Sequence, residues 1–235
     1  MSCLRSYLLP LLIFCFVSNA FAQISPRRAI IHFDPQNKPL EQVQINNTGS
    51  EVIHISAEVV EVKLPGTKGE IRESSKALVI SPNRFTLAPS SSRSIRLLVT
   101  EPAEETQRVF RVSFLTKAKS PLSQKNESSK EDKDSPIQIK VLTSTGLLVF
   151  QNPKLPESQL EWKRVGNKIR VFNRGNIFAL LQSLKLCETE EKNCDLRPLK
   201  KRIYGGASFD IAAPQGKSFE LSYLSNSVGK TLRNP

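Results

Sequence analysis

Short segments of alternating apolar and polar residues recur along this chain and constrain its fold more than any other feature. Apolar residues occupy every second position in Ile53–Val59, in Phe110–Phe114 and in Ile95–Val99. Because successive side chains of a strand point to opposite faces, a period of two predicts half-buried β-strands. Long helical periodicity is absent, and only the stretch 155–165 could include a helical turn.

Turn-forming residues separate these segments. Clusters of Gly, Pro, Asn and Ser occur at Asn46–Gly49, Pro65–Gly66, Ser81–Asn83 and Pro89–Ser92. Short strands with turns at this spacing indicate an antiparallel β-sandwich. The same alternation returns in the last third of the chain. The sequence therefore predicts an all-β fold with two tandem immunoglobulin-like β-sandwich domains.

A proline-containing segment, Gln151–Pro156, follows the last strand of the first half. Linkers of this kind separate domains. We predict an N-terminal immunoglobulin-like domain over residues 23–152, which includes the strand discussed below, and a C-terminal immunoglobulin-like domain over residues 153–235.

Residues 1–22 have the pattern of a cleaved signal peptide. Arg5 precedes an apolar run from Tyr7 to Val17, and Ala20-Phe21-Ala22 is a small-x-small cleavage site. The run is too short to cross a bilayer comfortably and no basic stop follows it. We therefore expect an exported chain that begins at Gln23 and is not embedded in a membrane.

Two cysteines, Cys187 and Cys194, remain after the signal peptide is removed. An even number in an exported chain predicts one disulfide, with a pair of free buried thiols as the alternative. Closing so short a loop is worth about 2.5 kcal/mol, which makes the bond a local staple. No His or other Cys lies near the pair, so we expect no metal site.

The sequence contains no catalytic motif, and its two His residues lie in strand patterns of the first half. We expect no enzyme and no cofactor, and a binding surface instead. The net charge of +12 is spread along the chain with few aromatic residues among the basic ones. An exported protein of this kind is not expected to bind nucleic acid; an acidic partner or a chain-end carboxylate fits better. Arg27 and Arg28 could hold such a carboxylate, or could simply form a solvated strand start.

The segment 117–136 is rich in Lys and Ser and has no β-branched or aromatic residue. We interpret it as a mobile loop between consecutive strands, with an interdomain linker as the weaker alternative. The strand after it, Ile137–Phe150, carries Ile137, Ile139 and Val141 on one face. This strand is either an ordinary core strand or an edge strand that donates those three side chains to a groove in a partner.

Five sequence segments occur in an order that resembles one known family. They are ALVISPNRFTLAP from Ala77 to Pro89, SRSIRL from Ser92 to Leu97, RVFRVSF from Arg108 to Phe114, FNRGN from Phe172 to Asn176, and YGGASF from Tyr204 to Phe209, with Cys187 and Cys194 before the last. Together they resemble the periplasmic chaperones of chaperone–usher pilus assembly, and more closely the alternate, colonisation-factor type.

The resemblance implies a function. Such a chaperone binds fimbrial subunits in the periplasm by donor-strand complementation and delivers them to an outer-membrane usher. It implies that Ile137, Ile139 and Val141 are the donated side chains, and that Arg28 or Arg27 binds the C-terminal carboxylate of the subunit. A lysine expected as the second carboxylate ligand falls at Gly146, which leaves that ligand unidentified. The alternatives are a secreted immunoglobulin-like adhesin or structural protein and, more weakly, an exported hydrolase.

Overall fold

A computed structural model describes residues 24–117, 144–188 and 193–233 as strands and connecting turns. The strands are β1 (Ile24–Pro26), β2 (Ile30–Phe33), β3 (Leu40–Asn47), β4 (Ile53–Lys63), β5 (Ile71–Ser74), β6 (Leu78–Ser81), β7 (Arg84–Leu87), β8 (Ser92–Val99), β9 (Arg108–Lys117), β10 (Ser144–Gln151), β11 (Leu160–Val165), β12 (Lys168–Asn173), β13 (Ala179–Cys187), β14 (Asp195–Ile203), β15 (Ser208–Ala212), β16 (Ser218–Ser225) and β17 (Val228–Arg233). In these ranges no helix has the length and apolar character needed to cross a membrane. The stretch 155–165 contains strand β11 and no helical turn, because Leu160 to Val165 pair with β12.

The first ten strands form two sheets. One has the order β1-β3-β8-β6, and the other has the order β2-β10-β9-β4-β5, with β7 also paired to β4. The start of the chain crosses between them: β1 pairs with β3, and β2 then pairs with β10 in the opposite sheet. All pairings in this sandwich are antiparallel except the parallel pair formed by β2 and β10.

The predicted alternation matches the side chains that fill this sandwich. Ile53, Ile55, Ile95, Leu97, Phe110, Val112 and Phe114 are all buried in one apolar cluster between the two sheets. Polar residues at the intervening positions, such as Arg96 and His54, face outward. Burial of one face of each strand therefore fixes the register of the sheets.

The last seven strands form a second sandwich with the sheets β11-β12-β15 and β14-β13-β16-β17. Its core includes Ile169, Val171, Leu181, Leu184 and Leu221. The chain thus forms two β-sandwiches in tandem, which are called the N-terminal and C-terminal domains below. Their limits at residues 23–152 and 153–235 stay a prediction.

A third, smaller apolar cluster lies where the two sandwiches meet. Val62, Val109 and Phe150 of the N-terminal domain pack with Phe178 and Tyr204 of the C-terminal domain. Val109 and Phe150 are paired across β9 and β10, on the face opposite to the N-terminal core. The second sandwich therefore covers part of a sheet face that would otherwise meet solvent.

Several expectations fall outside the described residues. The signal peptide over 1–22, the segment 118–136 of the expected loop, and the side chains of Ile137, Ile139 and Val141 belong to this group. They stay predictions.

Candidate functional site

Strand β10 has a free edge over its first half. Residues Ser144 to Gln151 pair with β9 on one side, whereas on the other side β2 pairs only with Leu148 to Gln151. No strand of the described ranges forms a ladder with the remaining edge, from Ser144 to Leu147, although Thr145 Oγ1 donates to the Ile24 carbonyl of β1 at 3.3 Å. The exposed N–H and C=O groups of such an edge can pair with a strand from another chain.

The two faces of β10 have different surroundings. Leu147 and Val149 point into the core of the N-terminal domain. Leu148 and Phe150 point the other way, towards the C-terminal domain. The free edge therefore belongs to a strand that packs one face in the core of the N-terminal domain. Its other face borders the junction between the domains.

Arg27 and Arg28 lie at the crossover between β1 and β2, close to this free edge. The Arg27 N–H donates to the Gln44 carbonyl at 2.9 Å, and its side chain is exposed. The Arg28 guanidinium donates to the Glu41 carboxylate at 2.7 Å and to the Gln42 carbonyl at 2.9 Å. Half of the Arg28 side chain remains accessible.

The register of β2 relates Arg28 to the position where a lysine was expected. Leu148 pairs with Ile30 in the parallel ladder. Extended by two residues beyond its last recorded pair, that register would place Arg28 level with Gly146, whereas the side-chain bonds of Arg28 go to Glu41 and Gln42 of β3. A Cβ atom at Gly146 would lie 3.0 Å from the Val112 carbonyl oxygen, so the strand packs closely there. The position where a lysine was expected therefore offers no side chain of its own.

A cavity of about 370 Å³ opens between the two domains, next to the end of β10. His32 and Asp34 line it from the N-terminal domain, and Phe178 and Arg202 line it from the C-terminal domain. The Arg202 guanidinium lies over the Phe150 and Phe178 rings, 5.9 and 5.2 Å from their centroids. Such cation–π contacts hold a positive charge at the wall of the cleft.

His32 is held in this junction by aromatic rings. Burial lowers its pKa below the usual 6.5; the carboxylate of Asp34 opposes this effect, and Arg202 adds to it. The neutral imidazole is therefore the favoured form at neutral pH. In this environment His32 packs against rings and offers no partner for acid–base catalysis among its described contacts.

An ion-pair cluster lies near the junction, at the end of β4 and the start of β9. The buried Arg108 guanidinium donates to both oxygens of buried Glu61, at 2.9 and 2.8 Å, and to Glu101 at 2.7 Å. Burial opposes ionisation of Glu61, but hydrogen bonds from Arg108 and Lys63 outweigh it and lower the pKa of Glu61 to about 2. The cluster fixes the start of β9 immediately after Gln107.

The predicted disulfide is confirmed. Cys187, at the end of β13, is bonded to Cys194, just before β14. The bond closes the β13–β14 hairpin at the end of the sheet opposite to Leu180 and Arg202, which line the cleft. It staples one hairpin and takes no part in the cleft. In the described ranges no three His, Cys, Asp or Glu side chains are grouped so that they could hold a metal ion.

Sequence patterns did not identify the residues of the junction. His32, Phe178 and Arg202 sit in ordinary strand or loop patterns, and nothing in their spacing indicates that they meet. The only signal was FNRGN, because it ends two residues before Phe178 and contains Asn176, which contacts the N-terminal domain. Its contacts could be recognised only in the folded structure.

Comparisons with known proteins agree with this architecture. Residues 23–155 match the family described as "Pili and flagellar-assembly chaperone, PapD N-terminal domain". No curated protein sequence matches the chain.

Among solved structures, one from the chaperone–tip adhesin complex of CFA/I fimbriae aligns with a TM-score of 0.66 at 20% identity, over 91% of this chain and 99% of that chain. The class 5 fimbriae chaperone CfaA aligns with a TM-score of 0.67 at 20% identity, over 90% and 99%. The E. coli chaperone DraB aligns with a TM-score of 0.61 at 14% identity, over 90% and 95%.

These structures share the fold of two tandem immunoglobulin-like domains, as the sequence predicted. The family match covers more than half of the chain, from before β1 to after β10. The chain therefore belongs to the pilus-assembly chaperone family.

Proposed function

We propose that this chain is a periplasmic chaperone that binds fimbrial subunits by donating a β-strand and delivers them to an outer-membrane usher. The observation that carries the proposal is the free edge of β10 over Ser144 to Leu147. A sheet edge of this kind can accept a strand of a partner through main-chain hydrogen bonds. The action is binding, with no catalytic step.

Strand alternation supports the choice of donated side chains. Leu147 and Val149 face the core of the N-terminal domain. Counted back along a continuous strand, Ile137, Ile139 and Val141 fall on that same face. Within this domain, that face fills the core of a sandwich. We propose that the part of the strand before Ser144 uses the same face to fill the core of an incomplete partner sandwich.

The proposed partner follows from the similar structures. One is a chaperone–tip adhesin complex of CFA/I fimbriae, and another is the Salmonella enterica pilin SafA with the chaperone SafB. We propose fimbrial or pilus subunits as partners of this chain, with the outer-membrane usher as the next acceptor. No nucleic acid and no cofactor are part of the proposal.

We also propose that Arg27 or Arg28 binds the C-terminal carboxylate of the subunit. The Arg28–Glu41 pair is half-exposed, and pairs of that kind contribute little to stability, about 0–1 kcal/mol. A subunit carboxylate could therefore replace Glu41 as the partner of Arg28. A glycine at position 146 leaves no second basic side chain at the neighbouring place in β10.

Ile139→Asp tests strand donation. A carboxylate at the centre of the donated face would have to be desolvated in an apolar groove, at a cost of several kcal/mol. We expect about a hundredfold or greater loss of subunit binding, with unchanged melting of the free chaperone. The measurement is the yield of complex with a co-expressed fimbrial subunit in periplasmic extracts, together with a thermal melt.

Gln138→Asp is the matched control, because residue 138 falls on the opposite face of the same strand. It should bind the subunit as the wild type does. Normal binding by Ile139→Asp would contradict strand donation. Unfolding of the free Ile139→Asp variant would show that the face packs in the chain's own core and would also contradict it.

A further inference from the structure

Gln107 joins the two domains through two hydrogen bonds, and a third holds its side chain within the N-terminal domain. It precedes β9 in the N-terminal domain. Its backbone N–H donates to the Asn176 carbonyl at 2.8 Å. Its side-chain Nε2 donates to Asn152 Oδ1 at 2.7 Å, and its Oε1 accepts the Phe178 N–H at 3.2 Å. The nitrogen of the Gln107 amide is therefore held by Asn152 in its own domain, while the oxygen binds Phe178 of the other domain.

The direction of these bonds is fixed by a carboxylate. Asn152 Nδ2 donates to Asp34 Oδ1 at 2.6 Å. An ionised carboxylate only accepts, so the Asn152 amide must turn its oxygen towards Gln107, and Gln107 must turn its own oxygen towards the Phe178 N–H. Asp34, Asn152, Gln107 and Phe178 thus form one chain of donors and acceptors with a single consistent direction.

The loop that Gln107 binds is rigidly attached to the C-terminal domain. The buried Asn173 side chain donates to the carbonyls of Ile177 and Ile203, at 2.7 and 2.8 Å. Its oxygen accepts from Gly175 N–H at 3.0 Å and from Gln159 N–H at 3.2 Å. Because the loop is held to several strands of its domain, a bond to it orients the sandwich and not the loop alone.

The position of Phe178 sets the width of the cleft. Its ring packs on Phe150 of β10, with centroids 4.7 Å apart. Gln107 holds the backbone of that same Phe178. Gln107 therefore holds the residue whose ring contacts the strand with the free edge.

We propose that Gln107 is a positioning residue that fixes the angle between the two domains and, through it, the shape of the interdomain cleft at the Gln151 end of β10, the strand on which a partner is captured. The capture part rests on the proposed function; the angle does not. Glutamine suits the position because its amide supplies both a donor for Asn152 and an acceptor for Phe178. Methionine keeps the length of the side chain and removes both side-chain bonds, while the backbone bond to Asn176 remains.

The test measures a distance between the two domains, which changes when the angle between them changes. Spin labels at Ser94→Cys and Lys230→Cys, two exposed positions in different domains, report the interdomain distance distribution by pulsed electron paramagnetic resonance. Gln107→Met should broaden this distribution about twofold or shift its mean. Gln42→Met, an exposed glutamine on β3, should leave it unchanged. An unchanged distribution in Gln107→Met overturns the proposal.

A second readout separates positioning from folding. Gln107→Met should keep the melting temperatures of the individual domains within a few degrees, yet capture about tenfold less co-expressed fimbrial subunit than Gln42→Met. Gln107→Ala serves as the second variant and should show the same two effects. Normal capture with a broadened distribution overturns the link to the partner. If the wild type captures no subunit, the proposed function fails, and the distance measurement still decides the role of Gln107.

Discussion

The imidazole ring of His32 in β2 stacks on the phenyl ring of Phe150 in β10, with centroids 4.9 Å apart and planes inclined by 25°. The Phe178 ring of the other domain approaches both, at 6.1 Å from His32 and 4.7 Å from Phe150. A titratable ring thus stands in the contact that joins the two sandwiches. We therefore expect its protonation state to be coupled to domain docking.

Acidification should weaken the contact between the domains. Burial lowers the pKa of His32 below 6.5, so the undocked chain binds more protons than the docked one. The contribution of neutral His32 to docking is then fully present above a pH of about 6.5 and is lost as the pH falls below that value. The spin-label distance distribution described above should broaden at pH 5 compared with pH 7.5.

His32→Phe should remove most of this pH dependence, since the ring stack remains and the titratable group is lost. His54→Gln is the control, because His54 lies at the end of β4 opposite to the junction and its ring bonds to Thr86 of β7. Equal broadening at pH 5 in the wild type and in His32→Phe would disprove the role of His32.

Arg108→Met should destabilise the N-terminal domain by about 3–5 kcal/mol, because it leaves buried Glu61 without its main cation. Urea denaturation followed by circular dichroism measures this loss. Arg96→Met, at an exposed position of β8, should change stability by less than about 0.5 kcal/mol. The double variant Glu61→Met, Arg108→Met should recover much of the loss, and no recovery would argue against an uncompensated charge as the cause.

Ionisation of Glu61 gives the same domain a second pH dependence. Since its pKa is lowered from 4.5 to about 2, its contribution is present above pH of about 4.5 and is lost as the pH falls towards 2. Arg108→Met should abolish most of this acid sensitivity. The measurement is the urea midpoint of unfolding as a function of pH between pH 2.5 and pH 6. If the midpoint changed with pH equally in the variant and the wild type, Glu61 would not be the source of the acid sensitivity.

Gly175→Ala should destabilise the C-terminal domain by about 1–3 kcal/mol or more. A Cβ atom at this position would lie 2.2 Å from the Glu157 carbonyl oxygen and 2.6 Å from Ser158 Cα, which are backbone atoms that cannot rotate away. Gly229→Ala is the matched control, because nothing lies within 4 Å of a Cβ there. Trp162, the one tryptophan of the sequence, packs against the core of the C-terminal domain, so its fluorescence reports the unfolding of that domain. Equal midpoints for the two variants would be the contrary result.

Replacing both Cys187 and Cys194 by alanine should cost the C-terminal domain about 2.5 kcal/mol, the loop-closure term for so short a loop. The N-terminal domain should keep its stability, because the bond joins only β13 and β14. Trp162 fluorescence reports the first effect, and the urea transition of the N-terminal domain reports the second. Destabilisation of both domains to the same degree would show that the bond is more than a local staple.

The sequence by itself determined the class of fold and the disulfide. Alternation at Ile53, Ile55 and Phe110, Val112 predicts which faces are buried, since a strand has only two faces and the apolar one packs in the core. The pairing of Cys187 with Cys194 follows from the expected export and an even count. These features are local in sequence, so no knowledge of the tertiary structure is needed to predict them.

Only the tertiary structure decided how the candidate site is assembled. The free edge of β10 exists because β2 begins only at Ile30, and the pairing of β2 with β10 joins residues more than a hundred positions apart. The contacts among Gln107, Asn152 and Phe178 likewise join segments that are distant in sequence. Neither periodicity nor composition encodes which sheet a strand enters or which residues meet between two domains, because those contacts are selected by packing of the whole chain.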